Sequence, residues 1–275
     1  MDEKQNILVV TAHPDDEVFV SGTICLCVEK KLSVSLLCAT DGEGGSLDLL
    51  PNETRSRLGE IRRQELRLSA SMLGISKVHF LGQPDSESPD TTGSRAWDET
   101  GVTDRLAKMI REYNPDLILT HGPLGGYGHR AHRLVHRCVM AATQATPFSG
   151  SIFSFCGQVD GAFFSWHFDE PSDVWVDARS FLDRRAASLG YHQTQISYFV
   201  QPQFPRSIRK VASAAFGYAF SFTAAGRKRV PIGSAIRFFQ RFPTEGLALQ
   251  KAPDGGRPHF FMEYFANDHR VRINR

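Results

Sequence analysis

Apolar residues in the first half of the chain come in short unbroken runs, and amphipathic stretches separate them. Ile7–Ala12, Ser33–Thr40, Val78–Leu81 and Leu117–Thr120 are such runs. Runs of this kind predict strands buried on both faces, as in a parallel sheet. Between them, Gly22–Lys31, Glu53–Leu73 and Thr103–Tyr113 read as helices. In Glu53–Leu73, Leu58, Ile61, Leu66, Ala70 and Leu73 mark one face, and Gly74 follows as a stop. Asn114-Pro115 closes the third helix. Asp41–Gly45 and Gln83–Trp97 are polar loops. The alternation predicts an α/β fold, a mostly parallel sheet with helices on both faces.

The second half is less regular. Phe153–Phe164 and Asp173–Val176 read as strands and Ala178–Tyr191 as a helix. Beyond Gln201 the chain is rich in Pro, Phe and Arg and its pattern assigns no topology. The chain therefore reads as one domain over 1–275, with 201–275 an irregular C-terminal extension and a candidate lid. Val211–Gly226 carries no charge, between Arg209-Lys210 and Arg227-Lys228-Arg229. It falls short of the roughly 20 apolar residues that a spanning helix needs. Two readings stay open: a buried helix, or an interfacial patch anchored by Phe216, Tyr218, Phe220 and Phe222. The second would give peripheral membrane contact over 209–229.

The net charge of +2 over 275 residues offers no electrostatic ground for a nucleic-acid partner. The five cysteines are odd in number and contain no C-x-x-C pair. Cys25, Cys27 and Cys38 stand in apolar surroundings, which favours small core residues in a reducing, cytoplasmic compartment. Met1-Asp2-Glu3-Lys4 leads directly into the first strand, so no signal peptide is expected.

Two polar clusters interrupt this framework at strand ends. The first is His13-Pro14-Asp15-Asp16-Glu17, immediately after the first strand. Three carboxylates crowded together repel one another unless a cation or proton is shared. The second runs from His121 to His132 after the fourth strand, with glycines at 122, 125, 126 and 128 and histidines at 129 and 132. In open α/β sheets, ligands sit outside the carboxyl ends of strands. A crevice there would bring His13, Asp16 and one or two later histidines together. Two imidazoles and one carboxylate form a common catalytic zinc set with a position open for water. Ferrous iron suits the same donors. Asp15 is then a candidate base, and His129 a candidate donor to an oxyanion or a leaving amine. His136 reads as a helix-face residue. His121 has no partner by spacing, and its role stays open. No G-x-G-x-x-G follows the first strand, which argues against a dinucleotide-binding dehydrogenase.

Ala12–Glu17 and Gly125–His132 resemble the motifs of the PIG-L/LmbE-like zinc de-N-acetylases. Weaker matches follow in the same order: Thr40-Asp41-Gly42-Glu43, Arg62-x-x-Glu65, Leu81-Gly82 with Asp85, and His192-Gln193-Thr194-Gln195. The resemblance spans roughly residues 6–200. It implies a Rossmann-like deacetylase domain acting on a small-molecule amino-sugar conjugate. It implies Zn2+ held by His13, Asp16 and His132, with Asp15 as general base. His129 would stabilise the transition state or protonate the amine, and Arg62, Asp85 and Tyr127 would contact the sugar or acyl group. One departure stands out. The family usually carries H-P-D-H where this chain has His129-Arg130-Ala131-His132, so the intervening carboxylate is absent. Other readings are a hydrolase of a longer N-acyl group or of an antibiotic or thiol conjugate, and a non-catalytic metal-binding protein acting at a membrane or partner.

Overall fold

The computed structural model describes residues 5–45, 56–85, 97–126, 128–155, 171–196, 199 and 232–274. Eight strands form one sheet in the order β3-β2-β1-β4-β5-β7-β6-β8. They are β1 (Asn6–Thr11), β2 (Ser33–Thr40), β3 (Lys77–Gln83), β4 (Leu117–Thr120), β5 (Ser151–Phe155), β6 (Val174–Asp177), β7 (Thr244–Lys251) and β8 (Val271–Ile273). From β3 to β5 every pairing is parallel, and from β5 onward every pairing is antiparallel. The helices are α1 (Ser21–Glu29), α2 (Leu58–Leu73), α3 (Glu99–Tyr113), α4 (Arg130–Gln144), α5 (Leu182–Tyr191), α6 (Ile232–Arg241) and α7 (Phe260–Phe265).

The alternation of side chains along β1 explains why its run is apolar throughout. Ile7 and Val9 join a core with α1, α2 and α7; Leu8, Val10 and Ala12 join a second core with α3 and α4. A smaller third core joins Val18 to α5 and α6 through Ala186, Leu189, Ala235 and Phe239. Helix α2 stops at Gly74, which takes φ 83° and lets the Ile75 N–H donate to the Ala70 carbonyl at 2.9 Å. The buried thiols of Cys25 and Cys27 are pushed up to about 12 by desolvation, as expected of inert core residues.

Several boundaries differ from the sequence expectation. Helix α3 begins four residues before Thr103, because the Asp98 carboxylate accepts the Gly101 N–H at 2.9 Å and caps it. Strand β5 begins at Ser151, and residues 156–164 of the expected strand lie outside the described residues. The expected irregular extension is corrected over 232–274, where α6, β7, α7 and β8 are regular. Strand β7 lies inside the sheet, hydrogen-bonded to β5 and β6. The segment 209–229 lies outside the described residues, and among those described no helix is long and apolar enough to cross a membrane.

Strand β1 connects to β2 on one side of the sheet and neighbours β4 on the other. The chain therefore reverses its winding direction between β1 and β4. Such a switch point leaves a crevice outside the strand ends, and both polar clusters open there.

Candidate active site

Residues 12–16 turn sharply out of β1, and Asp16 holds the turn together. Its Oδ2 accepts the N–H groups of Ala12 at 3.0 Å and His13 at 2.8 Å. His121 Nε2 lies 3.1 Å from the same oxygen and also lies 3.1 Å from the Ala12 N–H. Two backbone donors and the His121 ring thus converge on Oδ2, and Oδ1 faces His132 Nε2 at 3.3 Å. Burial opposes ionisation of Asp16, but His132 and His121 outweigh it and hold the carboxyl well below its usual range.

The histidine rings touch one another in series through this crevice, His121, His132 and His129 stacked and His13 edge-on to His129. The His121 and His132 rings lie 3.9 Å apart, His132 and His129 4.6 Å, and His129 and His13 4.7 Å. His13 also approaches Asp16, with Nδ1 3.7 Å from Oδ2. Its Nε2 faces Asp85 Oδ1 at 3.7 Å, within ion-pair range but too long for a hydrogen bond. Burial, with smaller contributions from neighbouring histidines, lowers the pKa of His13 well below the ordinary value. Burial likewise lowers His121 to about 4. Neutral imidazoles are the form in which histidine binds a metal.

Donor atoms gather in two overlapping groups, His13 with His129 and His132, and Asp16 with His121 and His132. Within each group they lie within 4.8 Å of one another. Mixed imidazole and carboxylate donors this close suit a divalent ion of the zinc or ferrous class. The structure thus brings together the side chains of His13, Asp16, His129 and His132, with Asp15 beside Asp16 in the same turn. It adds His121, whose partner Asp16 is 105 residues away in sequence. The remaining clue in sequence was its place at the end of a strand neighbouring β1. His136 donates from Nδ1 to the His121 carbonyl at 2.9 Å, consistent with a helix-face role.

Helix α4 presents two of these histidines. His129 is its N-cap, and its Nδ1 accepts the Ala131 N–H at 3.2 Å. With Nδ1 accepting, the ring's N–H is on Nε2. Gly125 enters this turn at φ 73°, and a side chain there would meet the His129 carbonyl at 2.6 Å. Where the family pattern has a carboxylate, Ala131 packs into the core beneath α4, while Arg130 is exposed.

Asp15 has φ 124°, a backbone conformation rare for any residue but glycine. Its Oδ2 pairs with Arg62 Nη2 at 3.1 Å. Burial raises the Asp15 pKa to about 7 against the opposing pull of Arg62. Arg62 itself is 3% exposed and also donates to the carbonyls of Gly42 and Pro14, each at 2.6 Å. Arg62 thus forms a clamp beneath Asp15. Gly42 permits it, since a side chain there would lie 2.4 Å from Nη1. Asp85 is also turned inward. Its Oδ2 accepts from the Gly44 N–H at 3.2 Å, and its other oxygen faces His13. Tyr127 lies outside the described residues.

The family model for PIG-L, GlcNAc-PI de-N-acetylase, matches residues 8–143, which include both clusters. A curated relative from Acidothermus cellulolyticus, 1D-myo-inositol 2-acetamido-2-deoxy-alpha-D-glucopyranoside deacetylase, is 30% identical over 264 residues. The match covers 81% of this chain and 89% of that protein. The chain belongs to the PIG-L family. Among solved structures, this PIG-L chain is similar to N,N'-diacetylchitobiose deacetylase from Pyrococcus horikoshii. The TM-score is 0.59 at 22% identity, covering 94% of this chain and 86% of that one. It is equally similar in fold to GalB, the 4-carboxy-2-hydroxymuconate hydratase of Pseudomonas putida. There the TM-score is 0.59 at 20% identity, covering 90% and 96% of the two chains. The same scaffold thus carries different reactions, and the residues of the site must decide between them.

Proposed function

We propose that this PIG-L protein is a metal-dependent hydrolase that removes the N-acetyl group of an amino-sugar-containing small molecule. The observation that carries the reading is the convergence of Asp16 with four histidines in mutual ring contact at the β1–β4 switch point, with Asp15 in the same turn. The family and the relative from Acidothermus support the same chemistry. His13, Asp16 and His132 would hold the ion, zinc by default with ferrous iron as the alternative. Such an ion supplies a water of lowered pKa, about 7, and polarises a bound carbonyl.

The chain's own residues perform the rest. Asp16 spends Oδ2 on the backbone and His121, so Oδ1, which faces His132, is the oxygen that would hold the ion. Asp15 takes a proton from the attacking water. Arg62 fixes which way its carboxylate points. His129 presents Nε2–H toward the substrate, because its other ring nitrogen is occupied by the helix cap. From there it stabilises the developing oxyanion, and the proton that Asp15 takes from the water passes to the leaving amine. His13 is flanked by Asp16 and Asp85, an arrangement that orients its ring.

Metal analysis combined with amine release from N-acetylglucosamine conjugates tests the proposal. The expected result is a divalent ion in the purified protein and metal-dependent release of free amine. Bound metal without release from N-acetyl or longer N-acyl glucosamine conjugates would leave a non-catalytic metal-binding protein. Carbon–carbon double-bond hydration without amine release would point to the GalB type of chemistry.

A further inference from the structure

The unusual backbone of Asp15 is held by groups far from it in sequence. At φ 124° and ψ −17° the residue stays in place only if its surroundings over-determine it. Glu17 Oε2 accepts the Asp15 N–H at 3.1 Å. The other oxygen of Glu17 accepts from Ser69 Oγ of α2 at 2.5 Å and from His192 Nε2, just after α5, at 2.6 Å. Glu17 and His192 are both fully buried. A carboxylate sealed in this way has little freedom to turn away from the peptide it holds. On the other side, Arg62 bonds the Pro14 carbonyl and the Asp15 side chain at once.

We infer that Glu17 is a positioning residue for Asp15, locked by Ser69 and His192, and that this lock sets the aim of the base. The inference rests on the proposed role of Asp15. Its geometric part stands apart from that role, because it concerns the Asp15 peptide itself. Glu17 accepts at both oxygens. A Glu17→Gln amide accepts at only one end. If its oxygen keeps the Asp15 N–H, its NH2 faces Ser69 Oγ and His192 Nε2, which must turn from donors into acceptors; if its oxygen keeps those two donors, its NH2 faces the Asp15 N–H and that bond is lost. Ser69→Ala removes one donor and leaves the carboxylate, a milder change. The histidine has a second consequence: it ties the last part of α5 to the β1 turn, so that two distant segments share control of one peptide.

The test uses the full-length, metal-loaded protein in three variants: Glu17→Gln, Ser69→Ala and Asp15→Asn. Amide hydrogen exchange read by NMR reports on the Asp15 peptide. Amine release from N-acetylglucosamine reports kcat and KM per metal-loaded molecule. In Glu17→Gln we expect faster exchange at Asp15 with β1 amides unchanged, and kcat lower by about a hundredfold at unchanged KM. Ser69→Ala is expected to move both readouts in the same direction by less, and it carries the test should Glu17→Gln not fold. Slowed turnover confined to lost metal or lost folded protein would overturn the inference, as would unchanged exchange at Asp15 in both variants. Asp15→Asn separates the two ideas. Full turnover in that variant removes the base reading, whereas a dead Asp15→Asn beside a fully active Ser69→Ala and Glu17→Gln removes only the lock.

Discussion

The parallel half of the sheet and its antiparallel half are built for different work. In β1–β4 the helical crossovers leave the carboxyl ends of the strands open, and His13, Asp15, Asp16, His121, His129 and His132 all stand at those ends. From β5 onward the strands run antiparallel, and the polar groups they bury serve bracing. Glu245 of β7 caps α1, accepting the N–H groups of Gly22 at 2.7 Å and Thr23 at 2.8 Å. It also pairs with Arg185 of α5 at 3.0 Å, where both side chains are almost fully buried. The difference teaches that the C-terminal segment belongs to the body of the fold. It braces α1 and α5 and, among the described residues, supplies no side chain to the His/Asp cluster.

If this division is right, substitutions in the two halves separate turnover from stability. The largest effect is expected for Asp15→Asn, with kcat reduced by up to about 10⁴-fold while bound metal and melting temperature stay near wild type. Steady-state kinetics with metal analysis checks it. Next comes Glu245→Ala, which leaves Arg185 charged and unpaired in the interior. Urea unfolding should show a loss of about 3–5 kcal/mol, with kcat per folded molecule unchanged. A fall in kcat without a fall in stability would erase the contrast.

His129→Ala tests whether the cap and the chemistry reside in one side chain. A reduction of kcat by about 10²-fold is expected, together with a modest loss of stability from the freed Ala131 N–H. The smallest effect lies far from the site. Asp268, before β8, is bonded by Arg270 and paired with Lys30 at the end of α1. Hydrogen bonding from Arg270 holds its pKa well below the usual range. Because the folded pKa is depressed, its stabilisation is present above the unfolded value of about 4 and fades as pH falls below it. Asp268→Asn should flatten the acid limb of a stability–pH curve below about pH 4, with turnover near neutral pH unchanged.

The parts of the molecule that local pattern reveals are those whose partners lie nearby or share a motif. The β1 run, Gly74 and the His129–His132 spacing are of this kind. His121 was open because its partner Asp16 arrives through the fold. The clamp made by Arg62 was not legible because an arginine on a helix does not announce which carbonyls it will meet. Gly42 and Pro14 take its donors only after β1 and β2 pair. Strand β7, Thr-Glu-Gly-Leu-Ala-Leu-Gln-Lys, has one β-branched residue and carries glycine and alanine. Its strand state comes from β5 and β6 on either side, which no local pattern displays.

The central claim is that the ends of β1 and β4 form one hydrolytic metal site. Titration of metal-free protein with zinc or ferrous iron, following amine release from an N-acetylglucosamine conjugate, tests it most directly. The account predicts activity that rises with bound metal, saturates at a single ion per chain, and is absent in His132→Ala. Full amine release by the metal-free protein, or by His132→Ala, would contradict it.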